Sequence, residues 1–205
     1  MGKQNNLKKK QKRGGTKDYS RKVDIRDDKD TFLIVCEGEV TEPLYFNAFK
    51  VASADIKCIG IGFNTISLVK ETMKMMSERE YDQVWCVFDK DSFSSQNFNN
   101  AISLAESQQI NVAYSNEAFE LWFLLHYSFI QTALPRTQYK SMLSSALGRP
   151  YSKEDPNMYR DLLVHQEIGI RNAKKLLTLH NINNPATCNP ISLVFKLVEE
   201  LNKFK

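Results

Sequence analysis

The chain has 205 residues, of which 42% are hydrophobic and 25% charged, values that are ordinary for a globular protein with one full core. No apolar run approaches the ~20 residues that a membrane-spanning helix needs, and the polar, basic N-terminus lacks the apolar segment of a secretory signal. The four cysteines include no Cys-x-x-Cys pair, so neither a disulfide framework nor a zinc site is indicated. We expect a cytoplasmic protein that does not associate with membranes.

The net charge of +4 is unevenly distributed. Residues 1–17 hold seven Lys and Arg and no acid, which leaves a net charge of −3 for the rest of the chain. We expect residues 1–30 to form a disordered basic tail, because they contain few apolar side chains to bury. The tail is either a solvated leader or an arm that binds phosphates without sequence specificity, with an affinity that falls steeply with salt.

From residue 31, strand and helix patterns alternate. Apolar runs typical of covered strands lie at 31–36, 55–63, 83–88 and 110–115. Helices are predicted from Thr41, from the capping residue Asn64, over 95–109 and over 116–129. Strands separated by helices usually form a parallel sheet with helices on its faces. We therefore predict an α/β core of Rossmann-like type over residues 31–129.

The C-terminal third of the chain has a different pattern. After about residue 130 the strand signals stop, and helical patterns occupy 137–147, 156–180 and 190–204. We predict that residues 130–205 form a helical extension that packs on the core.

Acidic residues follow two of the predicted strands. Glu37 comes directly after the first strand, and Asp89 and Asp91 follow the third. Ligands of open α/β sheets gather at the carboxyl ends of the strands, so these acids converge if the two strands are neighbours. Hard oxygen ligands without a histidine–cysteine set suit Mg²⁺ or Mn²⁺. Taken singly, each motif has a simpler interpretation, such as a loop with a helix cap or, for Glu42, an acid favoured at a helix start.

A strand that ends in Glu-Gly, followed by a strand that ends in Asp-x-Asp, resembles the Toprim domain of topoisomerases, primases and the overcoming-lysogenization-defect nucleases. Four stretches also resemble the RloB-like family, bacterial Toprim-type proteins linked with abortive infection and phage defence. They are "LIVCEGEVTEPLYF" (33–46), "VWCVFDKDSF" (84–93), "NEAFELWFLLHY" (116–127) and "NPISLVFKLVEEL" (189–201). The resemblance runs from about residue 31 to 201 and implies a Toprim-like fold.

The resemblance also implies roles for the acids. Glu37 would act as general acid and base and contact the metal, and Asp89 and Asp91 would be the metal-binding pair. Glu42 would match the second acid that the related nucleases carry after Glu-Gly. Its spacing from Glu37 is five residues where theirs is usually four, so Glu42 and Glu39 compete for that role.

Four further residues are candidates near such a site. Glu120 lies among apolar neighbours and needs a partner or a shifted pKa; it either supports the metal site or anchors a catalytic lysine. His126 is either a hydrogen-bonded core histidine or a supporting group of the site. Lys153, in a turn-rich loop, and Lys140 are candidate substrate contacts, although a solvated surface is the simpler interpretation for most basic residues of this region.

Three functions remain open from the sequence. The favoured one is a Mg²⁺- or Mn²⁺-dependent nuclease that acts as an effector of bacterial phage defence on DNA or RNA. A second is a phosphatase of the haloacid dehalogenase kind, which would use Asp89 as its nucleophile and would not depend on Glu37. The third is a non-catalytic module that binds nucleic acid or an ATPase. A companion ATPase and a second copy of the chain are the candidate protein partners.

Overall fold

The computed structural model describes residues 29–51, 53–91 and 94–205, so the predicted tail over 1–30 lies almost wholly outside the described residues. The strands are β1 (Asp30–Cys36), β2 (Ala54–Gly60), β3 (Gln83–Asp89), β4 (Asn111–Asn116) and β5 (Ile191–Ser192). The helices are α1 (Thr41–Asn47), α2 (Thr65–Glu78), α3 (Ser95–Ser107), α4 (Glu120–Leu125), α5 (Arg136–Leu147), α6 (Met158–Leu163), α7 (Gln166–Thr178) and α8 (Val194–Asn202). None of these helices is long and apolar enough to cross a membrane.

The five strands form one sheet in the order β2-β1-β3-β4-β5. The first four strands are parallel, and β5 pairs with β4 in the antiparallel direction. This arrangement confirms the predicted α/β fold with a mainly parallel, Rossmann-like sheet. From β1 the chain proceeds to β2 on one side, whereas β3 lies on the other side of β1. The order therefore reverses between β1 and β3, the position where doubly wound sheets open a ligand crevice at their carboxyl edge.

The core is centred on β1, in which every residue from Phe32 to Cys36 is fully buried, as expected for a parallel strand covered on both faces. Helices α2 and α3 pack on each other and on the sheet. Helices α1 and α4 meet in an aromatic cluster, in which the Tyr45 ring lies 5.9 Å from Phe119 and 5.5 Å from Phe123. This packing holds the two helices that carry Glu42 and Glu120 against the same end of the sheet.

Three sequence-based expectations are wrong in detail. Of the predicted helix over 116–129, only the part that forms α4 is an α-helix, and β4 continues to Asn116. The single helix over 156–180 is the pair α6 and α7.

The third error concerns the expectation that no strand follows residue 130. Ile191 and Ser192, assigned by pattern to the last helix, form β5 instead, and the Ser192 hydroxyl lies 3.0 Å from the Ser115 hydroxyl of β4. A two-residue strand depends on its partner strand and leaves almost no local signal. The extension therefore contributes to the sheet, and the division of the chain at residue 130 stays a prediction.

Candidate functional site

The acids after β1 and β3 lie side by side at the carboxyl edge of the sheet. Because the two strands pair in parallel, with Cys36 opposite Val87, the residues that follow them emerge together. The Glu37 backbone N–H donates to the Val87 carbonyl at 2.9 Å, and the Asp89 N–H donates to Glu37 Oε2 at 3.1 Å. The expected convergence of Glu37 and Asp89 is thus present, at the reversal point of the strand order.

A pocket of about 470 Å³ opens over this edge, and we call it the acidic pocket. Its ionisable lining consists of five carboxylates and two cations: Glu37, Glu39, Glu42, Asp89, Asp91, Arg136 and Lys153. All four predicted metal ligands therefore reach one pocket, and one of the two predicted substrate lysines joins them. The pocket has an excess of negative charge, which favours a cation as its occupant.

Two glycines determine how the Glu-Gly loop crosses the sheet edge. A Cβ on Gly60, at the end of β2, would lie 2.2 Å from the Gly38 carbonyl oxygen and 2.6 Å from Glu39 Cα. A Cβ on Gly38 would lie 2.2 Å from Glu42 Oε2. Since real side chains do not approach so closely, glycine at both positions lets the loop lie on β2 and lets the Glu42 carboxylate fold over the loop.

Of the two acids that compete for the second position, both of which line the acidic pocket, Glu42 is the more buried. Glu42 is 7% exposed, and burial raises its pKa, while the charge of Glu120 raises it further and hydrogen bonds from the Glu42 and Gly38 amides oppose the rise. Glu39 is exposed and its carboxylate lies over Gly62. The burial of Glu42 distinguishes it from Glu39, and its assignment as the second acid stays a prediction.

The carboxylates of the pocket disfavour one another's charge. Burial raises the pKa of Glu37 to about 7. The hydrogen bond from the Asp89 amide lowers this pKa, whereas the negative charges of Glu42 and Asp91 raise it. Burial also raises the pKa of Asp89 well above its usual value, and the charges of Glu42, Glu120 and Glu37 add to the rise. A cation among these groups would relieve both burial and repulsion.

The carboxylate oxygens of the pocket are of the kind that a hard divalent cation takes as ligands. Among the described residues, no three His, Cys, Asp or Glu side chains are arranged to hold a metal ion. Asp91 has a left-handed φ of 36°. Its Oδ2 lies 2.6 Å from Arg136 Nη1, so the Asp91 carboxylate is paired with a cation of the protein. Mg²⁺ commonly takes only one or two protein carboxylates, a number that Glu37, Asp89 and Glu42 can supply.

The sequence profile of RloB-like proteins matches residues 32–201, which include every residue of the acidic pocket. The chain belongs to the RloB-like family. A comparison with curated proteins gave no match, and a comparison with solved structures gave none either.

In this RloB-like chain, Glu120 has the partners that its burial requires. It is 7% exposed, lies 3.6 Å from Lys153 Nζ and accepts a hydrogen bond from the Tyr151 hydroxyl at 3.4 Å. The Thr41 hydroxyl in turn donates to the Lys153 carbonyl at 3.3 Å. Glu120 therefore lies beside Lys153 at the border of the acidic pocket, and which of its two expected roles it has stays a prediction.

The structure does not bring His126 or Lys140 into the acidic pocket. His126 is 1% exposed, and its Nδ1 lies 2.8 Å from the Trp122 carbonyl, an arrangement in which Nδ1–H donates. Its ring packs against Gly169 of α7, so His126 is a core residue that joins two helices. Lys140 is exposed on α5 and lines a separate cavity beside the acidic pocket.

Sequence reasoning did not single out Arg136, which contributes a cation to the site. It is the first residue of α5, and its backbone N–H donates to Glu117 Oε2 at 3.1 Å. This bond fixes the helix start beside the sheet edge. The only available signal was a cation after Pro135 at a predicted helix start, and many surface helices have one.

Proposed function

We propose that this RloB-like protein is a metal-dependent nuclease that hydrolyses phosphodiester bonds in nucleic acid, with Mg²⁺ or Mn²⁺ as its cofactor. The observation that carries the proposal is the convergence of Glu37, Asp89 and Glu42 at the reversal point of the sheet. The resemblance of the two strand-end motifs to the Toprim domain supports the same reaction class. A pocket rich in carboxylates and bordered by Lys153 suits a substrate phosphate bound through a metal ion.

Each residue of the acidic pocket would have a separate role in the reaction. A bound divalent ion would activate water and stabilise negative charge on the scissile phosphate. Asp89 and Glu42 would hold the ion. Glu37 would accept and return the proton of the reaction, as the resemblance to the Toprim domain implies. The Lys153 ammonium, positioned by Glu120, would contact the phosphate.

The proposed biological role is that of an effector in bacterial defence against phages. Its support is the membership of the RloB-like family, together with the resemblance of that family to Toprim-type proteins of abortive infection. In such a role an ATPase encoded with the effector would be the natural activating partner, and a cytoplasmic location would give access to nucleic acid.

A cleavage assay with isosteric variants tests the proposal. Plasmid DNA, single-stranded DNA and total tRNA are offered with Mg²⁺ or Mn²⁺ to the wild type, Glu37→Gln, Asp89→Asn and the control Glu167→Gln, an exposed residue of α7. We expect the first two variants to abolish cleavage and the control to retain it. Cleavage that survives both substitutions would contradict the proposal. Release of phosphate from a small phosphomonoester by Glu37→Gln would favour the haloacid dehalogenase alternative instead.

A further inference from the structure

A second cavity of about 490 Å³ adjoins the acidic pocket, and we call it the neighbouring pocket. Arg136 and Lys153 line both cavities and form the border between them. The rest of the lining of the neighbouring pocket is Glu120, Thr137, Tyr139, Lys140, Tyr151 and Ser152. A ligand bound at the acidic pocket can therefore continue past Arg136 into this second space.

The charge of the neighbouring pocket is opposite to that of the acidic pocket. Three cations, Arg136, Lys140 and Lys153, line it, and its single carboxylate, Glu120, already pairs with Lys153. The pocket also lies at the start of α5, where the Glu117 carboxylate already accepts the first N–H of the helix. The attraction for an anion therefore comes from the three cationic side chains.

A buried hydroxyl in the same pocket lacks an acceptor. Tyr139 is 1% exposed, and its hydroxyl has no hydrogen-bond partner among the described residues. The nearby Glu117 amide opposes the effect of burial on the pKa of this hydroxyl, but an amide N–H cannot accept the hydroxyl proton. Buried polar groups are rarely left unpaired, so the hydroxyl indicates that an acceptor belongs in the pocket.

We propose that the neighbouring pocket binds a backbone phosphate of the nucleic acid, next to the phosphate that is cleaved. The inference rests on the proposed nuclease function, because it places the second phosphate beside the metal site. Lys140 and the Tyr139 hydroxyl would contact the phosphate oxygens, and Arg136 would lie between the two phosphates. Phosphate oxygens supply the acceptor that the Tyr139 hydroxyl lacks among the described residues.

Binding without cleavage tests this inference. The affinity of a fluorescently labelled single strand of about ten nucleotides, as DNA and as RNA of the same sequence, is measured by anisotropy in EDTA over a range of salt concentrations. The variants are Lys140→Gln and Tyr139→Phe. The matched control is Lys196→Gln, an exposed lysine in a cavity lined by Trp85 and Asn111, at the other end of the sheet.

We expect Lys140→Gln to raise the Kd about tenfold and to reduce the slope of log K against log salt by about 0.7. Tyr139→Phe should raise the Kd several-fold without lowering the thermal stability of the free protein, because it removes an unpaired hydroxyl. Lys196→Gln should bind as the wild type does.

The inference is overturned if the wild type does not bind the strand, or if both pocket variants bind it with unchanged Kd and salt slope. The cleavage assay separates the two proposals. Wild-type binding that is weakened by both pocket variants, without cleavage under any metal, would leave the phosphate site standing and contradict the nuclease. Cleavage by the wild type, together with unchanged binding by both pocket variants, would support the nuclease and contradict the phosphate site.

Discussion

Arg136 forms an ion pair with Asp91 at the acidic pocket. The guanidinium Nη1 lies 2.6 Å from Asp91 Oδ2, and each side chain is 38% exposed. A cation from the protein thus occupies the place beside Asp91 where the sequence predicted a metal ion. Partly exposed ion pairs are weak, about 1 kcal/mol or less, so a divalent ion or a substrate phosphate can separate these two residues.

The first prediction is that Arg136→Gln strengthens Mn²⁺ binding. The substitution frees Asp91 and removes a positive charge from the pocket, and we expect the Kd measured by isothermal titration calorimetry to fall about fivefold. The control is Arg79→Gln, which breaks an exposed pair of 3.7 Å with Asp55 in the early part of β2. A weaker affinity for Mn²⁺ in Arg136→Gln would show that Arg136 supports the metal site rather than competing with it.

The second prediction concerns stability without metal. Asp89→Asn retains the shape of the side chain and removes a charge that burial and three neighbouring carboxylates disfavour. We expect the metal-free variant to be more stable than the wild type by about 1 kcal/mol in urea unfolding, as is common when a crowded functional site is neutralised.

The same chemical change at Asp82 provides the comparison for this prediction. Asp82 Oδ2 accepts hydrogen bonds from the Thr31 amide at 2.7 Å and from the Thr31 hydroxyl at 2.8 Å. Its pKa lies below the usual value because of these bonds. Asp82→Asn should therefore lower stability, and a loss of stability in Asp89→Asn as well would contradict the crowding argument.

The third prediction is that Gly60→Ala abolishes Mn²⁺ binding while the protein remains folded. The added Cβ would collide with the Gly38 carbonyl, which is backbone and cannot turn aside, so the loop that carries Glu37 must move. We expect a circular dichroism spectrum like that of the wild type and no heat of Mn²⁺ binding. Ile59→Val, one residue earlier in β2, should bind the ion normally. Unchanged binding in Gly60→Ala would mean that the loop position does not determine the site.

The positions of Glu37 and Asp89 could be predicted because each depends on the short stretch of sequence that precedes it. The apolar runs that precede Glu37 and Asp89 define covered strands, and parallel strands deliver their following residues to one edge. The choice between Glu42 and Glu39 could not be made by spacing, since it depends on how the Glu42 carboxylate folds over Gly38.

The features that the sequence did not reveal all depend on distant contacts. Arg136 reaches the site through an ion pair with Asp91, 45 positions earlier in the chain. Strand β5 exists because β4 offers a free edge to Ile191 and Ser192. Neither residue type nor periodicity carries such information, because both relations arise only after the sheet has formed.

The last prediction is a destabilising contribution of His126 in mild acid, in the direction opposite to that of Glu37, whose raised pKa adds stability as the pH falls. Burial lowers the pKa of His126 from 6.5 to about 4, the hydrogen bond to the Trp122 carbonyl opposes this, and the charge of His165 adds to it. In the unfolded chain the same histidine takes up its proton near pH 6.5. Between these two values the unfolded state binds more protons, so stability is complete above pH 6.5 and declines as the pH falls toward 4.

We expect the contribution of His126 to the stability of the wild type to fall by roughly 2 kcal/mol between pH 7 and pH 5, a change that the comparison with a variant lacking this histidine isolates. His126→Asn should be less stable at pH 7, since it leaves space beside Gly169, but it should lose correspondingly less between the two pH values. Urea unfolding at both pH values measures the difference. Val198→Ala, a buried truncation in α8, should lower stability equally at both. If His126→Asn and Val198→Ala showed the same pH dependence as the wild type, another group would be responsible for the acid sensitivity.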